Sequence, residues 1–282
     1  MTKCLQDGDV HCYAIGSLTN DHPFLKDERG NPRSIPVPDD YVRQVTEDRV
    51  QQITEDAGCD SFEVHMSGDT NFRNDIAVSY PYKAHRKGTD APPKPPHHAT
   101  VKAYLLSLPD TVVSENREAD DTLADAQTED TVIATVDKDL LMVEGKHYNW
   151  NKKDQGVIEV TYEEGIKWFF KQLLIGDWST DRILGCAIVE TKIRKATGLS
   201  YEARKGIGEK RADALLCVRD ATLLDLLSVV EDQYRNQFQG EWLDKINEMA
   251  RLLWMGGSAD NLWHYDTFRE TLIVREATDE ST

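Results

Sequence analysis

The chain has 282 residues, of which 39% are hydrophobic and 29% are charged, so its composition is typical of a globular protein and excludes a disordered chain. No apolar run approaches the roughly 20 residues that cross a bilayer, and the N-terminus lacks an apolar signal core, so we expect a cytoplasmic protein with no membrane partner. The five cysteines show no Cys-x-x-Cys spacing and the eight histidines no His-x-x-x-His pair, which argues against disulfide frameworks and zinc sites.

The formal net charge of −17, taken as a whole, argues against a nucleic-acid partner. The charge is unevenly distributed, however. Between residues 192 and 211 there are seven Lys and Arg residues and only two acids, and a second basic stretch runs through Lys83, Arg86 and Lys87. Several acids lie in tight groups near predicted turns, where they would repel one another without a cation. A metal site would remove much of the apparent contradiction.

In the first part of the chain, short strands alternate with helices. Residues 4–5 are predicted to end a very short strand, a polar loop follows to about Pro38, and a helical pattern begins at Asp39. Alternating apolar residues predict a strand over residues 61–66. The segment 86–98 is rich in proline and histidine, and we expect it to be exposed and mobile.

The middle of the chain continues the alternation, and the end is helical. We predict a helix over residues 101–108, a strand over 111–113, a helix opened by Asp120 and a buried strand over 131–136. Strands alternating with helices predict an α/β fold with a mostly parallel central sheet flanked by helices. The helices predicted beyond it cover residues 162–175, 209–216, 222–230 and 240–255.

Acidic residues recur where the predicted strands end. Because ligands of an open α/β sheet bind beyond the carboxyl ends of its strands, these acids should converge there. Hard oxygen ligands select Mg²⁺ or Mn²⁺ over zinc, and so rich a cluster suits two ions about 4 Å apart, as in phosphoryl transfer. The candidates are Asp7, Asp9, Asp69, Glu118, Asp120, Asp121, Asp137 and Asp139, with Asp177 and Asp181 after a later helix.

Each candidate also has an ordinary interpretation when it is taken alone. Acids at helix N-termini cap free N–H groups, which is as good an account of Asp120 and Asp121 as metal binding. A turn is the better account of Asp7 alone, a solvated surface side chain that of Lys83, and a tight turn an equal account of residues 206–208. The metal hypothesis therefore rests on the number of the acids and their shared location.

Three pairs of motifs, in this order, resemble the phage 5′→3′ exonuclease and flap endonuclease family, which is related to the 5′-nuclease domain of bacterial DNA polymerase I. The resemblance covers most of the chain, from Asp7 to about Met255. The motifs are Asn71–Arg73 with Tyr82–Arg86, Glu118–Asp121 with Asp137–Leu140, and Gly176-Asp177 with Gly206–Ala212.

The resemblance implies a PIN/5′-nuclease-like core over residues 1–175, with a mobile arch around 70–100, and a helical duplex-DNA-binding region over 176–282 packed on the core, with a helix–two-turn–helix element around 177–217. Lys83 would contact the scissile phosphate, and Arg73 and Arg86 would line the arch. The implied metal ligands are Asp7, Asp69, Glu118, Asp120, Asp121, Asp137, Asp139, Asp177 and, less regularly, Asp181. The implied DNA contacts are Lys205, Gly206, Ile207, Gly208, Lys210 and Arg211, with a K⁺ ion at the Gly206–Gly208 loop.

The implied function is hydrolysis of DNA phosphodiesters with two Mg²⁺ or Mn²⁺ ions, by a monomer that acts on a duplex with a 5′ end or 5′ flap. RNA of RNA·DNA hybrids is a further expected substrate. If the protein is phage-encoded, it would act in the host cytoplasm, in DNA replication or host DNA degradation. The sequence leaves open whether exonuclease or flap-endonuclease cleavage is preferred.

The sequence departs from the family pattern in three places. Asp181 lies four residues after Asp177, where most relatives place the second acid three residues later. Residues 186–204 form an insertion whose basic character suggests added DNA contact. The strand before Asp7 is unusually short and polar.

Other functions stay open at this point. In a haloacid-dehalogenase-type phosphatase, Asp7 and Asp9 would be the nucleophile pair and Asp177 part of the late metal motif. That hypothesis leaves Lys83, the acids of residues 118–121 and the glycine loop unexplained. A catalytically inactive DNA-binding protein is the non-enzymatic alternative, against which the full acidic set argues. An acid-rich structural protein would gain no stability from Mg²⁺.

Overall fold

The computed structural model of the protein describes residues 1–86, 91–195 and 198–279. The chain divides into two compact units, each of which is discontinuous in sequence. Unit 1 comprises residues 1–70 and 92–160, and unit 2 comprises residues 71–91 and 161–282. No helix in the part of the chain that the structure describes is long and apolar enough to cross a bilayer.

Unit 1 is built on a six-stranded sheet. Its strands are β1 (Lys3–Asp7), β4 (Ser61–Ser67), β5 (Thr111–Ser114), β6 (Thr131–Ala134), β7 (Gly145–Tyr148) and β8 (Val157–Val160), and a separate hairpin is formed by β2 (Thr19–Lys26) and β3 (Pro32–Pro36). The order across the sheet is β5-β4-β1-β6-β7-β8. All neighbouring strands are parallel except β7 and β8.

Helices cover both faces of this sheet, which a parallel sheet requires because both of its faces are apolar. The helices are α1 (Gly8–Ala14), α2 (Asp39–Asp56), α4 (His98–Leu106) and α5 (Ala119–Ala126). Val64 of β4 is buried in one cluster with residues of α1, α2 and α4. The next side chain along, His65, points to the opposite face and bonds the Thr122 hydroxyl of α5 at 2.9 Å. The predicted α/β class, a mostly parallel sheet flanked by helices, is confirmed.

Unit 2 is mainly helical. It contains α3 (Arg73–Ile76), α6 (Tyr162–Ile175), the hairpin of β9 (Ala187–Ile193) and β10 (Ser200–Gly206), then α7 (Glu209–Leu216), α8 (Leu223–Phe238), α9 (Trp242–Leu253) and α10 (Tyr265–Asp279). Helix α6 begins where it was predicted because Thr161 and Glu164 form a capping box. Its apolar face is buried through Phe169, Phe170 and Leu173.

Several predicted elements were wrong or missed. The predicted polar loop up to Pro38 contains α1 and the hairpin of β2 and β3, and the insertion 186–204 forms most of a second hairpin. The described part of the segment 86–98 has no strand and only its ends in helical turns, and residues 87–90 lie outside the described residues. The functional division of the chain at residue 175 stays a prediction.

Candidate functional site

The last residue of β1, Asp7, is the centre of a group of carboxylates in unit 1. Its buried side chain caps α1, accepting a hydrogen bond from the Val10 N–H at 3.1 Å, and accepts another from the Thr135 hydroxyl at 2.9 Å. Burial and the nearby charge of Asp9 raise the pKa of Asp7 to about 7, and the charge of Asp137 raises it further against the two hydrogen bonds. Asp9 and Asp137 therefore each lie close enough to Asp7 to repel its carboxylate.

The end of β4 connects this group to α5. The Ser67 N–H lies 3.4 and 3.3 Å from the two carboxylate oxygens of Asp9, and the Ser67 hydroxyl accepts from the Ala119 N–H at 2.9 Å. Ala119 is the first residue of α5. Asp69 follows two residues after Ser67 and is exposed. The acids after β4 and those in the first turn of α5 thus share one edge of the sheet with Asp9.

The acids at the start of α5 have a structural role as well. Glu118 and Asp121 form a capping box, in which the Asp121 carboxylate accepts from the Glu118 N–H at 3.1 Å. Asp121 is fully buried, whereas Asp120 is partly exposed. Helix capping, one of the two interpretations of these acids, is therefore present.

The turn after β6 is stabilised by hydrogen bonds between its side chains and its main-chain N–H groups. The Asp137 N–H donates to the Thr135 hydroxyl oxygen at 3.0 Å, and the Asp139 N–H donates to the Asp137 carboxylate at 2.9 Å. Thr135 was not among the predicted site residues, although it lies only two positions before Asp137. By bonding both Asp7 and the turn, Thr135 fixes the end of β1 against the end of β6.

The donor set of unit 1 fits a divalent cation. It consists of carboxylates at the carboxyl edge of a parallel sheet, where burial and then the charges of Asp9 and Asp137 raise the pKa of Asp7 to about 7. A hard cation would relieve that repulsion. Among the residues that the structure describes, no three His, Cys, Asp or Glu side chains are already placed to hold a metal ion. The individual ligand assignments stay predictions.

The raised pKa of Asp7 predicts how the free energy of unfolding depends on pH. Its ordinary value is 3.8 and its folded value about 7, so between these values the folded chain binds more proton than the unfolded chain. Stability is therefore lost as pH rises through this window. In EDTA, Asp7→Asn should be more stable than the unmodified protein at about pH 8, with the difference shrinking towards about pH 4. Thermal melts across this range measure it; a pH-independent difference would contradict the shift.

In unit 2, Asp177 lies in a tight turn after α6. Its buried carboxylate accepts from the Thr180 N–H at 3.1 Å and lies 3.4 Å from the Ser179 hydroxyl. Gly176 before it has a φ of 66°, and an added Cβ would lie 2.4 Å from the Ile183 carbonyl oxygen. The Gly-Asp motif is thus required by the turn itself, and metal binding by Asp177 stays a prediction.

Lys83 and Arg86 lie together beside Asp181, also in unit 2. Lys83 Nζ is 3.6 Å and an Arg86 guanidinium nitrogen 3.4 Å from the same carboxylate oxygen, Oδ1. The Tyr82 hydroxyl donates to the other oxygen, Oδ2, at 3.0 Å. The lysine predicted to contact the scissile phosphate and an arginine predicted to line the arch are therefore adjacent in the structure.

Arg73, which was predicted to be a catalytic residue of the arch, has a structural role in unit 2, and its catalytic role stays a prediction. Only 1% of Arg73 is exposed. Its Nε donates to the Leu252 carbonyl at 3.0 Å, and an end nitrogen of the guanidinium donates to the Trp254 carbonyl at 2.8 Å. Arg73 thus caps the C-terminal end of α9, where a cation also interacts favourably with the helix dipole. It holds the segment in place.

The loop predicted to hold duplex DNA follows β10. Gly206 is required by close packing, since an added Cβ would lie 2.3 Å from the Ala187 Cβ. Ile207 is buried, and its carbonyl accepts from the guanidinium of Arg204 at 3.3 Å. Arg204 also donates to the Leu184 carbonyl at 2.9 Å. Arg204, which was not among the predicted DNA contacts, thus stabilises the loop through hydrogen bonds to the Leu184 and Ile207 carbonyls.

The side chains around this loop are mostly accessible. Gly208 is the N-cap of α7 and has no atom near its open side. Lys205 pairs with Glu190 across the hairpin at 2.9 Å, Lys210 is exposed, and Arg211 lies 3.4 Å from the Gln233 side chain. Because exposed ion pairs are weak, Lys205 can exchange Glu190 for another anion. The predicted DNA contacts stay predictions.

The geometry defines the chain as an α/β protein whose mostly parallel sheet carries clustered carboxylates at one edge. Comparison with solved structures finds the flap endonuclease of bacteriophage T5, in a pseudo-enzyme–product complex with DNA and metal ions, at 14% identity and a TM-score of 0.47, covering 97% of this chain and 98% of that chain. A second crystal structure of the T5 protein, co-crystallised with metal ions, matches at 13% identity and a TM-score of 0.46, with the same coverage.

No protein-family model and no curated protein sequence matches the chain. Both T5 structures match at less than 15% identity and with TM-scores below 0.5. Similarity at this level carries no argument about activity. The function is therefore argued from the residues of this chain.

Proposed function

We propose that the protein is a divalent-metal-dependent nuclease that hydrolyses phosphodiesters near the 5′ end or 5′ flap of duplex DNA. The observation that carries the proposal is the grouping of carboxylates at one edge of the unit 1 sheet, where Asp9 and Asp137 each repel Asp7 and where Ser67 bonds both Asp9 and the first residue of α5. Repelling carboxylates persist in a fold when a function requires them.

The residues divide into two chemical groups. In unit 1, Asp7, Asp69, Glu118, Asp120, Asp121, Asp137 and Asp139 would hold Mg²⁺ or Mn²⁺, and Asp177 of unit 2 is proposed as a further ligand. Bound ions would supply an activated water and stabilise negative charge on the leaving oxygen. In unit 2, Lys83 and Arg86 would attract the phosphate and stabilise charge that develops in the transition state.

We further propose that the Gly206–Gly208 loop, with Lys205, Lys210 and Arg211, binds a phosphate of the duplex and a K⁺ ion. Glycines permit close approach of the backbone, and the N-terminus of α7 favours an anion. Basic side chains add attraction that depends on salt but not on sequence. We also propose cleavage of RNA in RNA·DNA hybrids, because these contacts bind phosphates, which both nucleic acids have.

We propose in addition that the protein is a monomer and acts in a host cytoplasm, in DNA replication or in host DNA degradation.

One assay tests the proposal. Duplex, 5′-flap and RNA-primed substrates, each labelled at the 5′ end, are incubated with Mg²⁺ and with EDTA. We expect cleavage only with Mg²⁺, with released mononucleotides indicating an exonuclease and released flaps an endonuclease. Absence of cleavage with every substrate and with both Mg²⁺ and Mn²⁺ would sink the proposal.

The assay also separates the alternatives. A phosphatase of the haloacid-dehalogenase type would release phosphate from small monoesters and trap it on Asp7, which mass spectrometry of the intact protein would detect. A catalytically inactive DNA-binding protein would shift the labelled substrates in EDTA and cleave none of them.

A further inference from the structure

The carboxylate of Asp181 occupies the position in which Lys83 and Arg86 would bind an anionic ligand. Both cations approach the same oxygen, at 3.6 and 3.4 Å, which are ion-pair distances longer than a good hydrogen bond. The side chains of Lys83, Asp181 and Arg86 are 20%, 16% and 40% exposed. The pairs are thus at the edge of solvent, within reach of an incoming strand.

Asp181 is itself held by contacts that do not involve the two cations. The Tyr82 hydroxyl donates to Oδ2 at 3.0 Å, the Lys83 N–H donates to the Asp181 carbonyl at 2.9 Å, and the Asp181 N–H donates to the Asp177 carbonyl at 3.2 Å. The cationic groups can therefore turn away from Oδ1 while Asp181 keeps its place.

The backbone on both sides of this contact is held in an unfavourable conformation. Lys83 has a φ of 51° and Arg182 a φ of 63°, in the left-handed region that non-glycine residues rarely adopt. Such strain persists where the surrounding structure fixes it, and it is concentrated at functional sites. The turn of Lys83 and the turn of Asp181 are fixed against each other by the hydrogen bond between their main chains.

Three cationic side chains lie around the contact, Lys83, Arg86 and Arg182. His85 lies among these residues, and burial, followed by the charges of Arg182 and Arg86, lowers the pKa of its imidazole. Lys83 acts in the same direction, and Asp177 is the acid that opposes them. The three cations together provide an electrostatic field that a second anion would enter favourably.

We propose that Asp181 is an internal counter-ion, rather than a metal ligand, and that a DNA phosphodiester displaces its carboxylate from Lys83 and Arg86. The proposal rests on the proposed function for the identity of the anion. A guanidinium and an ammonium bind phosphate at least as well as carboxylate, so the exchange retains their pairing.

The test measures DNA binding in EDTA, where cleavage plays no part. A fluorescent duplex with a 5′ overhang is titrated with the unmodified protein and with Asp181→Asn, which keeps an acceptor for Tyr82. Removing the competing charge should tighten binding about two- to fivefold, the range of a partly exposed ion pair. Asp260→Asn, which removes one negative charge from an exposed acid of unit 2, is the matched control and should show no comparable gain.

Two further measurements complete the test. In a background of Lys83→Met and Arg86→Met, Asp181→Asn should no longer tighten binding, because its partners are gone. The Mg²⁺ concentration that gives half the gain in melting temperature should be the same for Asp181→Asn and the unmodified protein. Unchanged DNA affinity in Asp181→Asn, equal tightening in both single variants, or a tenfold higher Mg²⁺ requirement would each overturn the proposal.

Competition with inorganic phosphate shows whether the anion that displaces Asp181 is a DNA phosphodiester or free phosphate. If low millimolar phosphate displaces DNA from Asp181→Asn, the subsite binds free phosphate and the assignment to a phosphodiester is wrong. Cleavage of DNA by the unmodified protein with Mg²⁺ is scored separately, so the proposed function can hold when this inference fails.

Discussion

Replacing Asp137 by asparagine is expected to lower Mg²⁺-dependent DNA cleavage at least about 100-fold, because loss of groups that merely support metal ligands already costs about 10- to 100-fold. Asparagine keeps the oxygen that accepts the Asp139 N–H, so the turn after β6 is retained. The negative charge facing Asp7 is removed. Initial cleavage rates on a 5′-labelled duplex measure the effect, and binding in EDTA should persist.

The matched control is Asp130→Asn. Asp130 is an exposed acid one residue before β6, outside the carboxylate group, and its substitution should leave cleavage unchanged. Cleavage by Asp137→Asn within a few-fold of the unmodified rate would remove Asp137 from the proposed metal site.

Replacing Arg73 by alanine should destabilise the protein by about 3–5 kcal/mol, the usual cost of leaving the partners of a buried charged group unsatisfied. The Leu252 and Trp254 carbonyls would lose their donors, and a cavity would form in place of the side chain. Arg73→Lys should recover only part of the loss, because one ammonium lacks the guanidinium fork. The shift of the denaturation midpoint in urea measures both.

Arg219→Ala provides the control, since the Arg219 side chain is 95% exposed. It should change stability by less than about 0.5 kcal/mol. If Arg73→Ala unfolds at the normal urea concentration yet cleaves DNA poorly, the structural role of Arg73 is wrong and the predicted arch role is favoured.

The location of the candidate site could be predicted because it follows from topology. Asp7 ends one strand, and Asp69 and Asp137 closely follow two others; parallel strands present their carboxyl ends at one edge. The apolar period of the helix over residues 162–175 was equally clear, since its buried face repeats every three to four residues. In these places local pattern and tertiary contact agree.

Other features could not be predicted because their causes are remote or local signals are weak. The carbonyls that bury Arg73 lie about 180 residues away in sequence, so the motif alone suggested a DNA contact. Helix α1 has seven residues and begins at a glycine, and the hairpin of β2 and β3 has no apolar period. Short polar elements of this kind depend on contacts that sequence periodicity does not record.

The discontinuity of unit 2 has a consequence for synthesis. Residues 71–86 leave the ribosome long before α9, yet the buried carboxylate of Glu248 accepts the main-chain N–H groups of Val78 and Ser79, and Arg73 requires carbonyls beyond residue 250. The nascent chain must therefore hold Arg73, Val78 and Ser79 without these partners until nearly all of the polypeptide has emerged. The proposed nuclease activity should accordingly arise late in translation, after the sheet of unit 1 has had time to form.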